Sequence, residues 1–582
     1  MKRPSYTARS KAAAHSFRAR QWLLFSLLIA GAAALIGRAV ELQLVDHGFL
    51  AKQGDARYSR VAAIVAHRGN ITDRNGEPLA ISTPVDSVWV NPQELAGSGS
   101  IVQLPHLAGT LGVDRAELTR HISSNMDREF LYVARGMTPA DAQRIKALNL
   151  PGVYLSGGYR RYYPAGEVTG HVLGFTTVDD VGQEGTELTF DNWLAGEDGA
   201  KRVIQDSKGR KVEDVESIRP VRPGRDLNMS LDLRIQYLAY RELKSAIVEN
   251  RARAGSMVVI DIDSGEVLAM VNQPAYNPND RSQMVPGSYR NRAVTDLFEP
   301  GSSIKPFIVA AALASGKFNT DSVIDTSPGF IQVGDRTFPD EHNLGVIGLS
   351  TVLAKSSNVG MIKLALQLEP QQIWTTLHRF GFGQVTTSGF PGEAAGVFTN
   401  YSNWHAISIA ALSHGYGISV SPLQLVQAYA TIGAYGVRRP ISLLRVDSAP
   451  AGQRILDESV CRSLIALLEG VTTQEGATGV RAKIAGYRVA GKTGTAWKSA
   501  NGSYSKDRYT SVFAGLAPAS NPRLAAIVVI DEPTAGKYLG GDVSAPVFSA
   551  VVGGALRLLA VAPDQLTAPT TPLIHSQRVA QR

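Results

Sequence analysis

The chain has 582 residues, 44% hydrophobic and 19% charged, which excludes an intrinsically disordered or a polytopic membrane protein and leaves room for about three domains. The net charge of +8 is concentrated, because Lys2, Arg3, Arg9, Lys11, Arg18 and Arg20 precede residue 21 with no acid among them, and the remaining 53 basic and 51 acidic residues nearly balance. The basicity belongs to a tail and gives no ground for nucleic-acid binding. Cys461, the only cysteine, excludes an intrachain disulfide and a Cys-rich metal site; its apolar surroundings read as a buried small hydrophobe.

Trp22 to Gly37 is an uninterrupted apolar run, extended by Ala39, Val40, Leu42 and Leu44 to about the ~20 residues that span a bilayer. Because it succeeds the basic tail directly, the positive-inside rule predicts a cytoplasmic tail over 1–20, a membrane helix over 21–45 and export of all residues beyond 45. Ala30-Gly-Ala-Ala-Ala34 would suit a signal peptidase, but the continuing Leu35-Ile36 favours an uncleaved anchor.

Residues 46–225 mix short strands such as Ser87-Val-Trp-Val90 with polar helices such as Thr138 to Ala147. His67, Asp73 and Glu184 lie in charged turns without ligand spacing and read as hydrogen-bonded turn residues. Leu231 to Arg253 reads as an amphipathic helix ending near Gly255, where a second domain over 226–561 gains its first strands. Ser256 to Asp261 and Glu266 to Val271 flank a hairpin signal. Asp261-x-Asp263-x-Gly265 resembles the start of a calcium loop, but Asn272 stands at the position that requires glutamate. Three late strands, Arg488 to Ala496, Thr510 to Gly515 and Leu524 to Ile530, and a closing helix from Ala545 to Ala560 predict an α/β (α+β) domain whose antiparallel sheet is assembled from both ends of its sequence. Residues 562–582 are Pro/Thr-rich and predict a disordered tail.

The chemistry gathers around Glu299-Pro-Gly-Ser-Ser-Ile-Lys-Pro306. Pro300 and Gly301 interrupt the chain and an apolar helix comes next, stopped by Gly316, so Ser302 sits near a helix N-terminus with Lys305 on the same face. A neutral lysine there could take the serine proton. Ser503-x-x-Lys506 also matches S-x-x-K but has no helix behind it. Ser356-Ser-Asn358 and Lys492-Thr-Gly494 appear later in that order and complete the three-part signature of penicillin-binding proteins and class A β-lactamases. In that arrangement Ser302 attacks a carbonyl and Lys305 is its base. Ser356 relays a proton to the departing amine, and Asn358 holds Lys305 or the substrate amide. Thr493 and Thr495 share a strand face where their hydroxyls could grip a substrate carboxylate, Lys492 supplies positive charge, backbone N–H groups of Ser302 and Thr495 receive an oxyanion, and Gly491 and Gly494 leave room for substrate along the strand.

The chain resembles class B penicillin-binding proteins along essentially its full length. Arg68-Gly-Asn-Ile-Thr-Asp-Arg-Asn-Gly76, Arg161-Tyr-Tyr-Pro164 and Gly182-Gln-Glu-Gly-Thr-Glu187 match the non-catalytic motifs of that class, so the resemblance implies an elongated mixed pedestal over 46–225 beneath a penicillin-binding transpeptidase domain. Glu299 and Asn358 resemble the septal type; elongation-type relatives tend to carry Pro-Pro-Gly and an aspartate. The absence of a glycosyltransferase domain before residue 225 argues against class A. Tyr509 and Tyr538 match aromatic residues that wall the pocket in relatives, while Leu539 and Trp497 depart from the usual Phe and basic residue. The implied activity is D,D-transpeptidation of peptidoglycan stem peptides through a serine acyl-enzyme that β-lactams block, with no cofactor or metal. The implied location is the inner membrane with the catalytic domain in the periplasm, beside a polytopic glycan polymerase and other division proteins. The alternatives are an elongation-type transpeptidase, a D,D-carboxypeptidase or β-lactamase-like hydrolase, and a silent scaffold or β-lactam sensor, for which retention of all five polar site residues would be needless.

Overall fold

The apolar N-terminal run forms helix α1, Arg9–Val40, continued by a π-helical turn over Glu41–Val45. Its stretch Arg18–Val45, 28 residues with none buried, is long and apolar enough to cross a membrane. This computed structural model describes residues 9–49, 59–205, 211–280, 282, 284–285, 287–500 and 503–565; residues 1–8 and 566–582 of the two expected tails lie outside them. The chain forms two compact units. The first comprises the described residues of Met1–Ala66 and of Glu197–Arg222. In it, strand Gly199–Gln205 pairs antiparallel with both Ser59–Ile64 and Lys211–Arg219.

The second unit takes His67–Gly196 together with Pro223–Arg582. This division differs from the sequence boundaries at 46 and 225, because the partner of Ser59–Ile64 lies about 140 residues away and only strand pairing reveals it. Within the second unit, β1 (Pro78–Val90) pairs antiparallel with β2 (Leu131–Met137) and β3 (Val153–Tyr162). Val88 and Val90 pack on Leu107, Leu118, Ile122 and Ile145 from three short helices. One of these is Pro139–Ala147, opened by Thr138, whose hydroxyl accepts the Asp141 N–H at 3.2 Å.

Three separate segments meet beside this sheet. The Glu187 carboxylate accepts from the Arg68 guanidinium at 2.8 Å and from Arg161 at 2.6 Å, all three buried, and Arg68 also reaches Asp191 at 2.7 Å. Asp73 is a structural acceptor, taking the N–H groups of Asn75, Glu77 and Leu233. His67 stacks edge-on against Tyr159.

Leu233 opens α2 (Leu233–Glu249), two residues later than the periodicity suggests because Asp232 caps its start, and the helix closes at Asn250 rather than at Arg253. The central sheet comes next, with β4 (Ala254–Asp261), β5 (Val267–Gln273), β6 (Ala490–Ala500), β7 (Ser503–Ala517) and β8 (Leu524–Asp531) in the order β5-β4-β8-β7-β6, every pair antiparallel. Both faces are covered. Met257 and Val259 of β4 point to one core, with Leu243 of α2 and Phe548 and Val552 of the closing helix Ala545–Leu558; Val258 and Ile260 point to the other, with Phe307, Val426 and Tyr429. The loop considered for calcium is held by Arg523, which bonds Asp261 at 2.5 Å and Asp263 at 2.7 Å. Among the described residues no group of three or more His, Cys, Asp or Glu side chains could hold a metal ion. Cys461 is buried, and burial pushes its thiol up to about 12.

Candidate active site

Ser302 lies in a 3₁₀ turn, Gly301–Ile304, and Lys305 begins α3, Lys305–Ala314. The cause is local, since Pro306 has no N–H to give the Ser302 carbonyl and Lys305 N–H bonds it instead. Residues three apart are eclipsed in such a turn, so Ser302 and Lys305 stand one above the other. Ser302 is half-buried while Lys305 is fully buried.

The turn is clamped from two sides. Gly494 on β6 passes so close that a Cβ there would lie 2.6 Å from the Pro300 carbonyl oxygen and 3.3 Å from the Ser303 Cβ. Gly415, with φ +92°, would place a Cβ 2.0 Å from the Gly301 oxygen. From beneath, Tyr429 donates its hydroxyl to the Ser303 carbonyl at 2.9 Å. The space at Gly494 is thus filled by the nucleophile turn and that at Gly491 by Phe513 and the Ala514 carbonyl, so on that side these glycines let the protein's own parts pack closely.

The Lys305 amine donates to the Ser356 carbonyl at 2.6 Å, Asn358 Oδ1 at 2.8 Å, Ser356 Oγ at 3.2 Å and the Ser357 carbonyl at 3.3 Å. Ser302 is not among its partners. Ser356 reaches this position with φ +59°, a left-handed conformation unusual for a side chain. Burial pushes the Lys305 amine down to about 7, against an opposing pull from Asp340. A lysine that is half neutral near pH 7 can accept a proton, as a general base must.

Lys492 is buried, its amine 3.2 Å from both the Thr493 carbonyl and the Thr493 hydroxyl. Burial, and then the positive charge of Lys305, holds its proton affinity well below the ordinary lysine range. The Thr493 hydroxyl donates to Thr478 at 2.8 Å, and Thr495 Oγ1 accepts the Gly540 N–H at 3.1 Å, which leaves the Thr495 proton free for a ligand. Tyr509 and Tyr538 stack face to face with centroids 4.1 Å apart, whereas Leu539 is half exposed. The backbone N–H of Trp497 donates to the Tyr416 hydroxyl at 3.3 Å. Glu299 accepts the Gly417 N–H at 2.8 Å and the Tyr504 hydroxyl at 3.0 Å, tying a loop and a strand to the nucleophile turn. The second S-x-x-K match, Ser503 to Lys506, lies in β7 and has no helical face to share.

Sequence reasoning passed over three contributors. Asp340 comes after the hairpin of Phe330–Val333 and Arg336–Pro339 and accepts the Ser357 hydroxyl and the Asn358 N–H, each at 2.5 Å, and the Val359 N–H at 3.0 Å. His414 lies between Phe338 and Tyr416, bonded through Nδ1 to the Ala410 carbonyl at 2.7 Å. Burial and the neighbouring Lys305 push it down to about 4, so it is neutral at pH 7. Thr478 joins the signature strand to the Ser356 region through Ala354, whose carbonyl accepts its N–H at 3.0 Å. Two of these belong to no short motif, and Thr478 sits in a turn whose Gly476 and Gly479 mark only a loop.

A serine one turn from a buried lysine of lowered proton affinity, with a second serine and an asparagine on that amine and a Lys-Thr-Gly strand alongside, defines the penicillin-binding class of serine acyltransferases. The family profile described as "Penicillin binding protein transpeptidase domain" matches residues 255–553, and "Penicillin-binding Protein dimerisation domain" matches 63–229. The chain is 44% identical over 548 residues to peptidoglycan D,D-transpeptidase FtsI of Escherichia coli K12, covering 94% of this chain and 92% of that protein. It is 43% identical over 544 residues to probable peptidoglycan D,D-transpeptidase PbpC of Pseudomonas aeruginosa, covering 94% and 96%. Among solved structures, a peptidoglycan synthetase from Bifidobacterium adolescentis superposes with a TM-score of 0.69 at 26% identity, covering 88% of this chain and 98% of that one. The transpeptidase domain of Burkholderia pseudomallei penicillin-binding protein 3 gives 0.54 at 38% identity, covering 58% and 98%. The chain belongs to the class B penicillin-binding proteins, with their dimerisation domain and their transpeptidase domain.

Proposed function

We propose that this chain is a serine-type peptidoglycan D,D-transpeptidase that cross-links stem peptides during septal wall synthesis. The observation that carries the reading is Lys305, fully buried, pushed down to about 7 and hydrogen-bonded to Ser356 and Asn358 one turn from Ser302. Ser302 Oγ attacks the penultimate D-Ala carbonyl and its proton passes to Lys305. The oxyanion is received by the backbone N–H groups of Ser302 and Thr495. Ser356 returns a proton to the leaving terminal D-Ala as the C–N bond breaks, and the amine of a neighbouring stem peptide then displaces Ser302 from the acyl-enzyme. The terminal carboxylate lies against Lys492, Thr493 and Thr495, and the Tyr509–Tyr538 stack walls the pocket. β-Lactams acylate the same serine.

The septal assignment rests on Glu299 and Asn358 and on relatives named FtsI. The pedestal is placed over 46–225 and the catalytic domain over 226–561, in keeping with the two profile matches. Helix α1 anchors the chain in the inner membrane with the catalytic domain in the periplasm, where a polytopic glycan polymerase and other division proteins are its partners.

The test is labelling by a fluorescent penicillin, wild type beside Ser302→Ala, monitored over hours. Stable labelling lost in the variant supports the transpeptidase. Release within minutes would favour a hydrolase, and labelling that survives the substitution would overturn the site.

A further inference from the structure

Tyr538 stands on a strap, residues 532–539, that runs from the end of β8 to the short helix Gly540–Val543. Among the described residues Gly536, Lys537 and Tyr538 make no hydrogen bond, so the place of the Tyr538 ring is set by its stack on Tyr509 and by the two ends of the strap. One end is the Gly540 N–H on Thr495 Oγ1. The other is the corner where α2 stops. A helix leaves its last carbonyl groups without partners, and here Arg251 comes next at φ +46°. The strap supplies the donors this corner lacks: the Asn250 carbonyl accepts the N–H groups of Thr534 at 2.9 Å and of Ala535 at 3.1 Å, and the Arg251 carbonyl accepts the Thr534 hydroxyl at 2.9 Å. Thr534 makes two of these three bonds, and its hydroxyl is the one side-chain group among them. Just before it, Asp531 and Glu532 accept Lys498 of β6 at 2.6 and 2.7 Å and both pair with Arg253, which fixes the base of the strap to the sheet.

Resting on the transpeptidase reading, we propose that Thr534 is a positioning residue for acylation: by tying the strap to the corner of α2 it seats Tyr538 on Tyr509 and so shapes the pocket wall that a stem peptide or a β-lactam meets. Thr534 touches no reacting atom and acts through Tyr538 alone. The two roles open to it separate cleanly. A residue that only stabilises the loop lowers the rate by the same factor whatever stands at 538, whereas the effect of a positioning residue disappears once the Tyr538 ring is gone.

Thr534→Val keeps the shape of the side chain and removes the hydroxyl; Thr534→Ser keeps the hydroxyl. The second-order rate of acylation by a fluorescent penicillin is measured on the full-length chain in detergent, after melting curves show each variant folded. Thr534→Val is expected to lower the rate ~3–10-fold and Thr534→Ser to stay within about twofold of wild type. In a Tyr538→Ala background, Thr534→Val is expected to add less than about twofold. Trypsin cleavage between Lys537 and Tyr538, read by mass spectrometry on the same samples, is expected to be ~3–10-fold faster in Thr534→Val than in wild type. The proposal is overturned by a wild-type rate in Thr534→Val, by an equal loss with and without Tyr538, by a loss in Thr534→Ser as deep as in Thr534→Val, or by unchanged cleavage after Lys537. Thr534→Ala takes the place of Thr534→Val should that variant not fold. Failure of the underlying reading is separate, since it shows as wild-type labelling that Ser302→Ala does not abolish.

Discussion

At the scale of single residues the site is decided by which amines are denied water. Lys305 and Lys492 are both buried, and each loses proton affinity because burial penalises the ammonium. Lys305, at about 7, accepts a proton only when neutral, so acylation should climb as pH rises through about 7 and level off above it; a profile that is flat between pH 5.5 and 9 would contradict the assignment. Lys305→Gln should lower the acylation rate by ~10²–10⁴-fold across that range, the usual worth of a positioned general base, while leaving the fold intact by circular dichroism. The same burial bears on stability. The folded-state affinity of Lys305 lies below that of the unfolded chain, whose lysine holds its proton to about 10.5, so the unfolded state binds the extra proton between pH 7 and about 10. The Lys305 contribution to stability therefore rises with pH across that window, and a Lys305→Met chain should show a weaker rise in melting temperature there.

Secondary elements matter through how closely they approach. β6 reaches the nucleophile turn only because position 494 carries no side chain, and a Gly494→Ala methyl would sit 2.6 Å from the Pro300 oxygen. Separation of strand from turn by a few tenths of an ångström should cost ~1–3 kcal/mol of stability and misplace the Thr495 N–H, so acylation should fall by ~10²-fold with little change in the pH profile. In the dimerisation domain the same logic applies to charge. Glu187 lies between Arg68 and Arg161 in a dry setting, and Glu187→Ala leaves two guanidiniums without their shared carboxylate. That loss should cost ~3–5 kcal/mol, seen as early proteolysis within residues 67–196 on a thermal ramp, whereas exposed Glu458→Ala, which breaks only the pair with Arg462, should be within experimental error.

For the whole molecule, attachment and catalysis reside in different parts of the chain. Among the described residues, the members of the site all fall within Pro223–Arg582 of the second unit, whereas α1 belongs to the first. A chain beginning at Ser59 should therefore leave the membrane fraction yet be acylated at a rate within about threefold of the full-length protein, checked by fractionation and penicillin labelling; loss of labelling in a folded truncation would show that catalysis depends on the anchor.

Features set by short spacings were legible in the sequence. The apolar run of α1, the hairpin of β4 and β5, the late strands and each of the motifs S-x-x-K, S-x-N and K-T-G are carried by residues within a few positions of one another, where helical and strand periodicities act. Features set by segments brought together from far apart emerged only in the folded chain. Asp340, 16 residues before Ser356, becomes part of the site only because its hairpin turns back onto the next helix, and nothing in Phe338-Pro-Asp-Glu341 marks it beforehand. Arg68, Arg161 and Glu187 are three ordinary charges until the fold closes them into one buried network. Pairing of Ser59–Ile64 with Gly199–Gln205 likewise joins segments about 140 residues apart that no local pattern links. The physical reason is common to all three cases: local propensity acts over one or two turns of chain, whereas burial of charge and strand pairing are settled only by what the completed fold places opposite.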